Sequence, residues 1–220
     1  MIMVKPAKIN YQKKLDDIIS ELEKNGETPT LLLHSCCAPC SSYTLEYLSK
    51  YFKITVYYYN PNIAPREEYQ RRAAEQKRFI SRLHPKNEIS LIEGEYRPED
   101  FYETIKGLES IPEGGERCFK CYRLRLESAA ALAAEKGFDY FTTTLSISPY
   151  KNAAKLNETA AELSNIYNVK NLPSDFKKKN GYKRSIELSA QYGLYRQDYC
   201  GCVFSKKERE KAVNSAKKKQ

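Results

Sequence analysis

The chain has 220 residues, 41% hydrophobic and 30% charged, a balance that builds a buried core and argues against a disordered segment. Lys and Arg number 37 against 28 Asp and Glu, a formal charge of +9. No run approaches the roughly 20 apolar residues that cross a bilayer, and Met1–Pro6 lacks the apolar stretch of a secretory signal, so the expectation is a cytoplasmic protein without a membrane span.

Residues 10–25 read as an amphipathic helix, with Leu15, Ile18, Ile19 and Leu22 at helical spacing and Gly26 as its stop. Thr30–His34 is a short apolar run and so a buried strand. Cys36-Cys37-Ala38-Pro39-Cys40 follows as a turn into a helix over Ser41–Lys50. Ile54–Tyr59 is a second strand, closed by Asn60-Pro61, and Arg66–Leu83 a long charged helix. Glu88–Ile92 is a third strand and Pro98–Leu108 a helix. A loop over Ile111–Glu116 leads to a long helix over Arg117–Lys136, which Gly137 stops. Phe138–Thr144 is a fourth strand, and Pro149 opens a loop into a helix reaching Tyr167. A basic loop, a helix over Ser185–Tyr192, a Cys200-Gly201-Cys202 turn and a charged terminal helix complete the chain.

Strands alternating with helices predict a three-layer α/β domain with a mainly parallel sheet. The organisation expected is one catalytic domain over 1–220: a helical extension over 1–28, an α/β core over 29–204, and a basic helix or tail over 205–220. In such sheets ligands bind beyond the carboxyl ends of the strands. The loops after Thr30–His34 and after Phe138–Thr144 are therefore the expected walls of a site.

The seven cysteines fall in three groups: Cys36, Cys37 and Cys40; Cys118 and Cys121; Cys200 and Cys202. With an odd count and no export signal, metal or redox chemistry fits better than disulfides. Cys37-Ala38-Pro39-Cys40 is a C-x-x-C at a helix start, where backbone N–H groups stabilise thiolates, and it suits dithiol redox chemistry or metal ligation. Cys118 and Cys121 share one helix face, with Arg117, Lys120, Arg123 and Arg125 around them. That pair alone would equally suit structural zinc. Gly201 can turn Cys200 and Cys202 to one side, and Asp198 could add an oxygen ligand. Seven sulfurs exceed what one tetrahedral zinc uses. They fit a [4Fe–4S] cluster with ligands left for a second metal.

Four ordered motifs carry a resemblance. His34-Ser35-Cys36-Cys37-Ala38-Pro39-Cys40-Ser41-Ser42, Arg117-Cys118-Phe119-Lys120-Cys121-Tyr122-Arg123-Leu124-Arg125-Leu126, Phe141-Thr142-Thr143-Thr144-Leu145-Ser146-Ile147-Ser148-Pro149-Tyr150-Lys151-Asn152 and Tyr199-Cys200-Gly201-Cys202 resemble the QueH-type epoxyqueuosine reductases over about Leu31–Phe204. The resemblance implies a HUP-like fold and a cobalamin-independent oxidoreductase. That enzyme reduces epoxyqueuosine to queuosine at the wobble position of the tRNA anticodon loop, with a [4Fe–4S] cluster, a nearby mononuclear iron and a low-potential electron-donor protein. Some members have Asp where this chain has Cys40. On this reading Cys118 and Cys121 hold the cluster, beside Cys37 and one or both of Cys200 and Cys202, while Cys36 and Cys40 help hold the second iron.

Tyr122, Tyr199 and Asp198 are the candidate proton donors, and His34 reads as a strand-end core histidine. Tyr57, Tyr58 and Tyr59 at a strand end could stack on splayed bases, and Arg66, Arg71 and Arg72 could meet phosphates. Seven basic residues between Ser205 and Gln220, and the Lys177-Lys178-Lys179 run, also suit a polyanion. Two other readings stay open and a third, ATP chemistry, is disfavoured. A thiol–disulfide oxidoreductase would use Cys37 and Cys40. A zinc-stabilised RNA-binding module would need no redox chemistry. An ATP-dependent tRNA enzyme of the same fold would want a Gly-rich loop where His34-Ser35-Cys36-Cys37 stands.

Overall fold

The computed structural model describes residues 9–217. The first eight residues of the expected helical extension and Lys218–Gln220 of the basic tail lie outside them. Five strands, β1 (Thr30–His34), β2 (Lys53–Tyr58), β3 (Ile89–Glu93), β4 (Tyr140–Thr143) and β5 (Lys170–Asn171), form one sheet in the order β3-β2-β1-β4-β5. Every pairing is parallel. The expected three-layer α/β domain is what the chain forms.

Alternation along β1 builds both cores. Leu31 and Leu33 face one side of the sheet, against α1 (Tyr11–Asn25), α2 (Ala38–Leu48) and α3 (Arg66–Ser81), through Leu15, Leu45 and Phe79. Leu32 faces the other side, with Leu126 and Ala130 of α5 (Glu116–Glu135) and Leu163 of α6 (Ala153–Tyr167). Strands covered on both faces need apolar residues at every position, which is why β1 reads as a continuous run rather than an alternating one. Asn10 caps α1 by accepting from the Lys13 N–H at 3.1 Å, and Gly26 ends it at φ 68°.

Several boundaries differ from expectation, the helix expected over 98–108 ending at Thr104 and the one over 185–192 beginning at Gly181 among them, and three further differences concern the sheet and its loops. The first is α2, which begins at Ala38 rather than Ser41, so Pro39 and Cys40 sit in its first turn and Cys37 is its N-cap. Thr144–Ile147 forms a 3-10 turn directly after β4. The third is β5, which was not expected; two residues are too few to show a hydrophobic period. Between α3 and α5 lies α4 (Pro98–Thr104); α7 (Gly181–Gln191) and α8 (Val203–Lys217) end the chain.

The start of α7 is fixed by a close approach. A Cβ on Gly181 would strike the Phe176 carbonyl and the Tyr43 ring, so the α7 backbone lies directly against α2. Gly181→Ala should cost about 1–3 kcal/mol by overpacking, read as a lower midpoint in urea unfolding with an unchanged slope.

Candidate active site

Beyond the carboxyl end of the sheet, β1 and β4 are neighbours whose chains continue in different directions. A crevice opens there as a consequence of the strand order. The loop after β1 supplies Cys36, Cys37 and Cys40, and the 3-10 turn after β4 supplies Thr144. Cys36 N–H and Sγ lie 3.4 and 3.7 Å from Thr144 Oγ1. The three sulfurs all lie within 4.8 Å of one another, with Cys36 and Cys37 Sγ 3.8 Å apart.

Among these three thiols, Cys37 is the one whose surroundings favour the thiolate. Hydrogen bonds from the Cys36 and Cys40 thiols, with the Arg72 charge, hold its pKa well below the ordinary range. The same contacts push Cys36 up to about 11 and Cys40 well above its usual value. Arg72 is itself buried. It bonds Glu68 at 2.7 Å and donates to the Cys200 carbonyl at 3.2 Å, so one guanidinium touches the third cysteine group while its charge acts on Cys37 of the first.

The other four cysteines line a second, small cavity with Asn62, Tyr122, Arg125 and Lys151. Cys118 and Cys121 come from the first turns of α5, as helical spacing predicts. Cys200 and Cys202 come from the turn before α8. Gly201 makes this turn possible: its φ is +122°, and a Cβ would lie 2.9 Å from Ile63 Cγ1 and 3.0 Å from Arg72 Nη1. The Gly201 carbonyl accepts from the Ala64 N–H at 3.0 Å, tying this turn to the loop after β2. Three of the four sulfurs accept hydrogen bonds. Gly114 N–H reaches Cys118 Sγ at 3.3 Å, Ser205 N–H reaches Cys202 Sγ at 3.4 Å, and Lys151 Nζ reaches Cys200 Sγ at 3.1 Å. Cys37 therefore lies with Cys36 and Cys40, while Cys118, Cys121, Cys200 and Cys202 line the other cavity.

Cations surround these thiols. Arg117, Arg125 and Lys151 are 2%, 1% and 8% exposed, a depth at which a charge needs a counter-charge. Arg117 pairs with Glu208 at 2.9 Å, and Lys151 with Glu113 at 3.0 Å. Arg125 has no carboxylate partner; its Nε donates to the Cys121 carbonyl at 3.2 Å. Burial alone would lower the Lys151 pKa, but Cys200, Tyr122 and Glu113 outweigh it and hold the ammonium charged. Of the four basic residues expected around Cys118 and Cys121, Arg117 and Arg125 point inward, one and two turns apart on the Cys121 face. Lys120 is exposed and Arg123 pairs with Glu162 on the outer face.

A cleft of about 490 Å³ opens beside both groups and is lined by Cys36, Cys40, Cys200, Lys151, Tyr199 and Tyr150 among others. Cys200, Lys151 and Glu113 line both this cleft and the small cavity. Tyr199 and Asp198 reach the cleft, Asp198 pairing with Arg209 at 3.1 Å. Tyr122 does not; it lines the inner cavity and is 1% exposed.

The aromatic strand end is not a stacking surface. Tyr57, Tyr58 and Tyr59 are buried at 7%, 1% and 8% exposure, and their hydroxyls meet Ser128, the Tyr69 carbonyl and Asp100. Strand residues at a sheet's carboxyl end are still covered by α5 and α3, which is why the rings point into core. Arg72 is spent on the cysteine turn, while Arg66 and Arg71 lie on the exposed face of α3, over the Tyr96 and Tyr195 rings. His34 is a core residue. Its Nε2–H donates to the Tyr59 carbonyl at 3.1 Å, leaving Nδ1 to accept from Thr143 at 2.8 Å, and burial pushes its pKa down to about 3. The exposed aromatic at the cleft is instead Tyr150, 79% exposed on the loop before α6. Lys151, Asn62 and Tyr150 were not expected as site residues; Tyr150 and Lys151 lie in the third motif and Asn62 in none, and the proximity of all three to the thiols exists only in three dimensions.

A model of the family described as epoxyqueuosine reductase QueH matches residues 31–208. An epoxyqueuosine reductase QueH of Staphylococcus epidermidis is 52% identical over 206 residues, covering 92% of this chain and 87% of that protein. One of Streptococcus pyogenes is 46% identical over 202 residues, covering 91% and 79%. One of Thermotoga maritima is 34% identical over 197 residues, covering 86% and 97%.

Gly201→Ala should open the cysteine turn, because the residue needs positive φ and its Cβ meets Ile63 and Arg72. The expected loss is about 1–3 kcal/mol in denaturant unfolding, together with faster reaction of the buried Cys202 thiol with a chromogenic disulfide.

Proposed function

From the premise that this chain belongs to the QueH family of epoxyqueuosine reductases, and is thus an oxidoreductase, we propose that its cysteines hold two iron centres beside a cleft that receives the modified wobble base of a tRNA. The observation that carries this reading is the convergence of three separate cysteine groups at one end of the sheet, with Cys200 lining both the inner cavity and the cleft.

The residues present fit such centres. Cys118, Cys121, Cys200 and Cys202 offer the four thiolates that a [4Fe–4S] cluster takes. Cys36, Cys37 and Cys40, with their sulfurs within 4.8 Å, offer a soft set for one further iron. If Asp is a ligand in relatives at the Cys40 position, this chain presents a third sulfur in place of an oxygen donor. Arg117, Arg125 and Lys151 supply positive charge that the two carboxylates nearby, Glu113 and Glu208, do not fully match. Bound thiolates and the cluster's own charge would complete that balance. When bound, such a group supplies electrons one at a time, and an open iron a Lewis acid for an epoxide oxygen.

The chain's own residues then bind, orient and donate. Opening the epoxide and losing its oxygen as water takes two electrons and two protons. Tyr199 and Asp198 line the cleft and are the candidate proton sources; Tyr122, on the inner cavity, serves the thiol side instead. The Lys151 ammonium holds positive charge where cleft and cavity meet. The cleft's 490 Å³ suits one hypermodified nucleoside splayed from its loop. Tyr150 at its mouth, with Arg196 and Arg209 along its wall, forms an aromatic and basic rim for a neighbouring base and its phosphates. Electrons come from a low-potential donor protein, and the basic face of α8 adds non-specific attraction to RNA. No helix of the described residues is long and apolar enough to cross a membrane. A dithiol oxidoreductase at Cys37 and Cys40 would leave the other four convergent thiols and their buried cations without a role.

Protein purified without oxygen should carry iron and sulfide and show a broad visible band that bleaches on reduction. Zinc without iron would overturn the cluster reading. Cys118→Ala and Cys121→Ala should each lose most of that iron, and full retention in both would remove them as ligands. The loaded enzyme, given tRNA containing epoxyqueuosine and a low-potential reductant, should form queuosine. Tyr150→Ala should raise KM for that tRNA roughly tenfold, in line with about 1–3 kcal/mol per stacked base. It should leave kcat nearly unchanged and iron content intact, while Tyr150→Phe should behave as the parent.

A further inference from the structure

The small cavity ringed by Cys118, Cys121, Cys200 and Cys202 has a second property. Three polar side chains on its wall have buried atoms without hydrogen-bond partners: Asn62 at both Nδ2 and Oδ1, Tyr122 at its hydroxyl and Arg125 at Nη2. All three are 2% exposed or less. Buried donors of this kind are normally satisfied, and each one left unpaired costs stability. Three donors among these atoms, Asn62 Nδ2, the Tyr122 hydroxyl and Arg125 Nη2, belong to residues lining one thiol-lined space and so point to an acceptor there with several lone pairs.

Asn62 is the informative member. It lies far in sequence from every cysteine, carries no charge and does not titrate. Its neighbour Asn60 uses its own amide on the Ser35 carbonyl at 2.8 Å, so the loop does not need Asn62 for that contact. The loop is held in register with the ligand turn. Ile63 N–H bonds the Asn60 carbonyl at 3.1 Å, and Ala64 N–H bonds the Gly201 carbonyl at 3.0 Å. An amide placed this way keeps a constant relation to Cys200 and Cys202.

We propose that Asn62 donates a hydrogen bond from its Nδ2 to a sulfur of the iron–sulfur group and so raises that group's reduction potential. This rests on the cluster reading above. Reduction adds one electron and one negative charge to the group, and a fixed donor stabilises the more negative form more strongly. Asn62 is thus a positioning and tuning residue, which touches no substrate and shapes the energy at which electrons pass through.

The test uses the full chain, loaded anaerobically with iron and sulfide, and Asn62→Leu, which keeps the branched outline at a somewhat larger volume and removes the amide. An electron-paramagnetic-resonance titration with dithionite should place the midpoint of the Leu variant below that of the parent, at equal iron content. The metal-free proteins should differ in the opposite sense. The Leu variant should melt at a higher temperature than the parent, because an unpartnered amide has been removed from the interior. Asn62→Ala, which loses the donor and adds no charge, should lower the midpoint too and serves if the Leu variant does not load. An unchanged midpoint in loaded variants would overturn the inference and mean that the amide serves a trapped water. A lower melting temperature of the metal-free Leu variant would also count against it, marking Asn62 as a packing residue. A parent protein that takes up no iron would overturn the cluster reading itself, which the iron assay reports separately.

Discussion

Cysteine thiols and cations buried together are the constraint on which this structure turns. A charge removed from water is strongly destabilising unless it meets its opposite. Arg117, Arg125 and Lys151 are almost wholly covered, and their closest surroundings are sulfurs, backbone carbonyls and two glutamates. Arg117 and Lys151 each meet a glutamate, whereas Arg125 is paired with no carboxylate among the described residues and rests on the Cys121 carbonyl and the sulfur-lined space beside it. Much of the surrounding architecture follows. The Cys121 face of α5 carries Arg117 and Arg125 inward, α8 returns Glu208 to Arg117, and the loop before α6 bends Lys151 between Glu113 and Cys200.

The place of the site follows from the sheet. With β1 and β4 side by side and the chain winding away from them in opposite directions, their carboxyl ends cannot be covered by the crossover helices. The segments that leave those ends are short and bring Cys36 and Thr144 into contact. Two cross-links then draw in the remote cysteine turn. Arg72 reaches from α3 to the Cys200 carbonyl, and Ala64 N–H holds the Gly201 carbonyl. A glycine is required where that turn passes against Ile63 and Arg72, because no side chain fits. The two thiol sets are distinct, yet Cys200 and Lys151 border both the inner cavity and the cleft, so a single layer of side chains separates the two spaces.

Eighteen tyrosines and no tryptophan suggest a nucleic-acid surface, but most of the signal belongs to the interior. Tyr57 and Tyr59 stack on each other at 5.8 Å beneath α5, and Tyr58 packs on Tyr69. Their hydroxyls find partners inside, which is how a tyrosine is buried without loss. The aromatic left to the solvent at the cleft is Tyr150, on a loop that the rigid scaffold presents. Binding groups on such loops are free of the packing demands that occupy strand residues.

The local elements were legible in the chain. β1 announces itself as an apolar run, α1 by its spacing and its Asn10 and Gly26 ends, and α5 by a 20-residue stretch stopped at Gly137. The three cysteine groups could be read as ligands, and four ordered motifs carried the family, because motif and period are properties of neighbouring residues. How the seven sulfurs divide was not legible. Cys37 is one residue from Cys36 and more than eighty from Cys118, and the sheet order decides which sulfur meets which. The same holds for Asn62, Lys151 and Tyr150, ordinary residues whose importance comes from what the fold places beside them. Sequence periodicity encodes which face of an element is buried, whereas distances between loops are set when helices and strands pack. The parts were therefore written locally and their chemistry was assembled by tertiary structure.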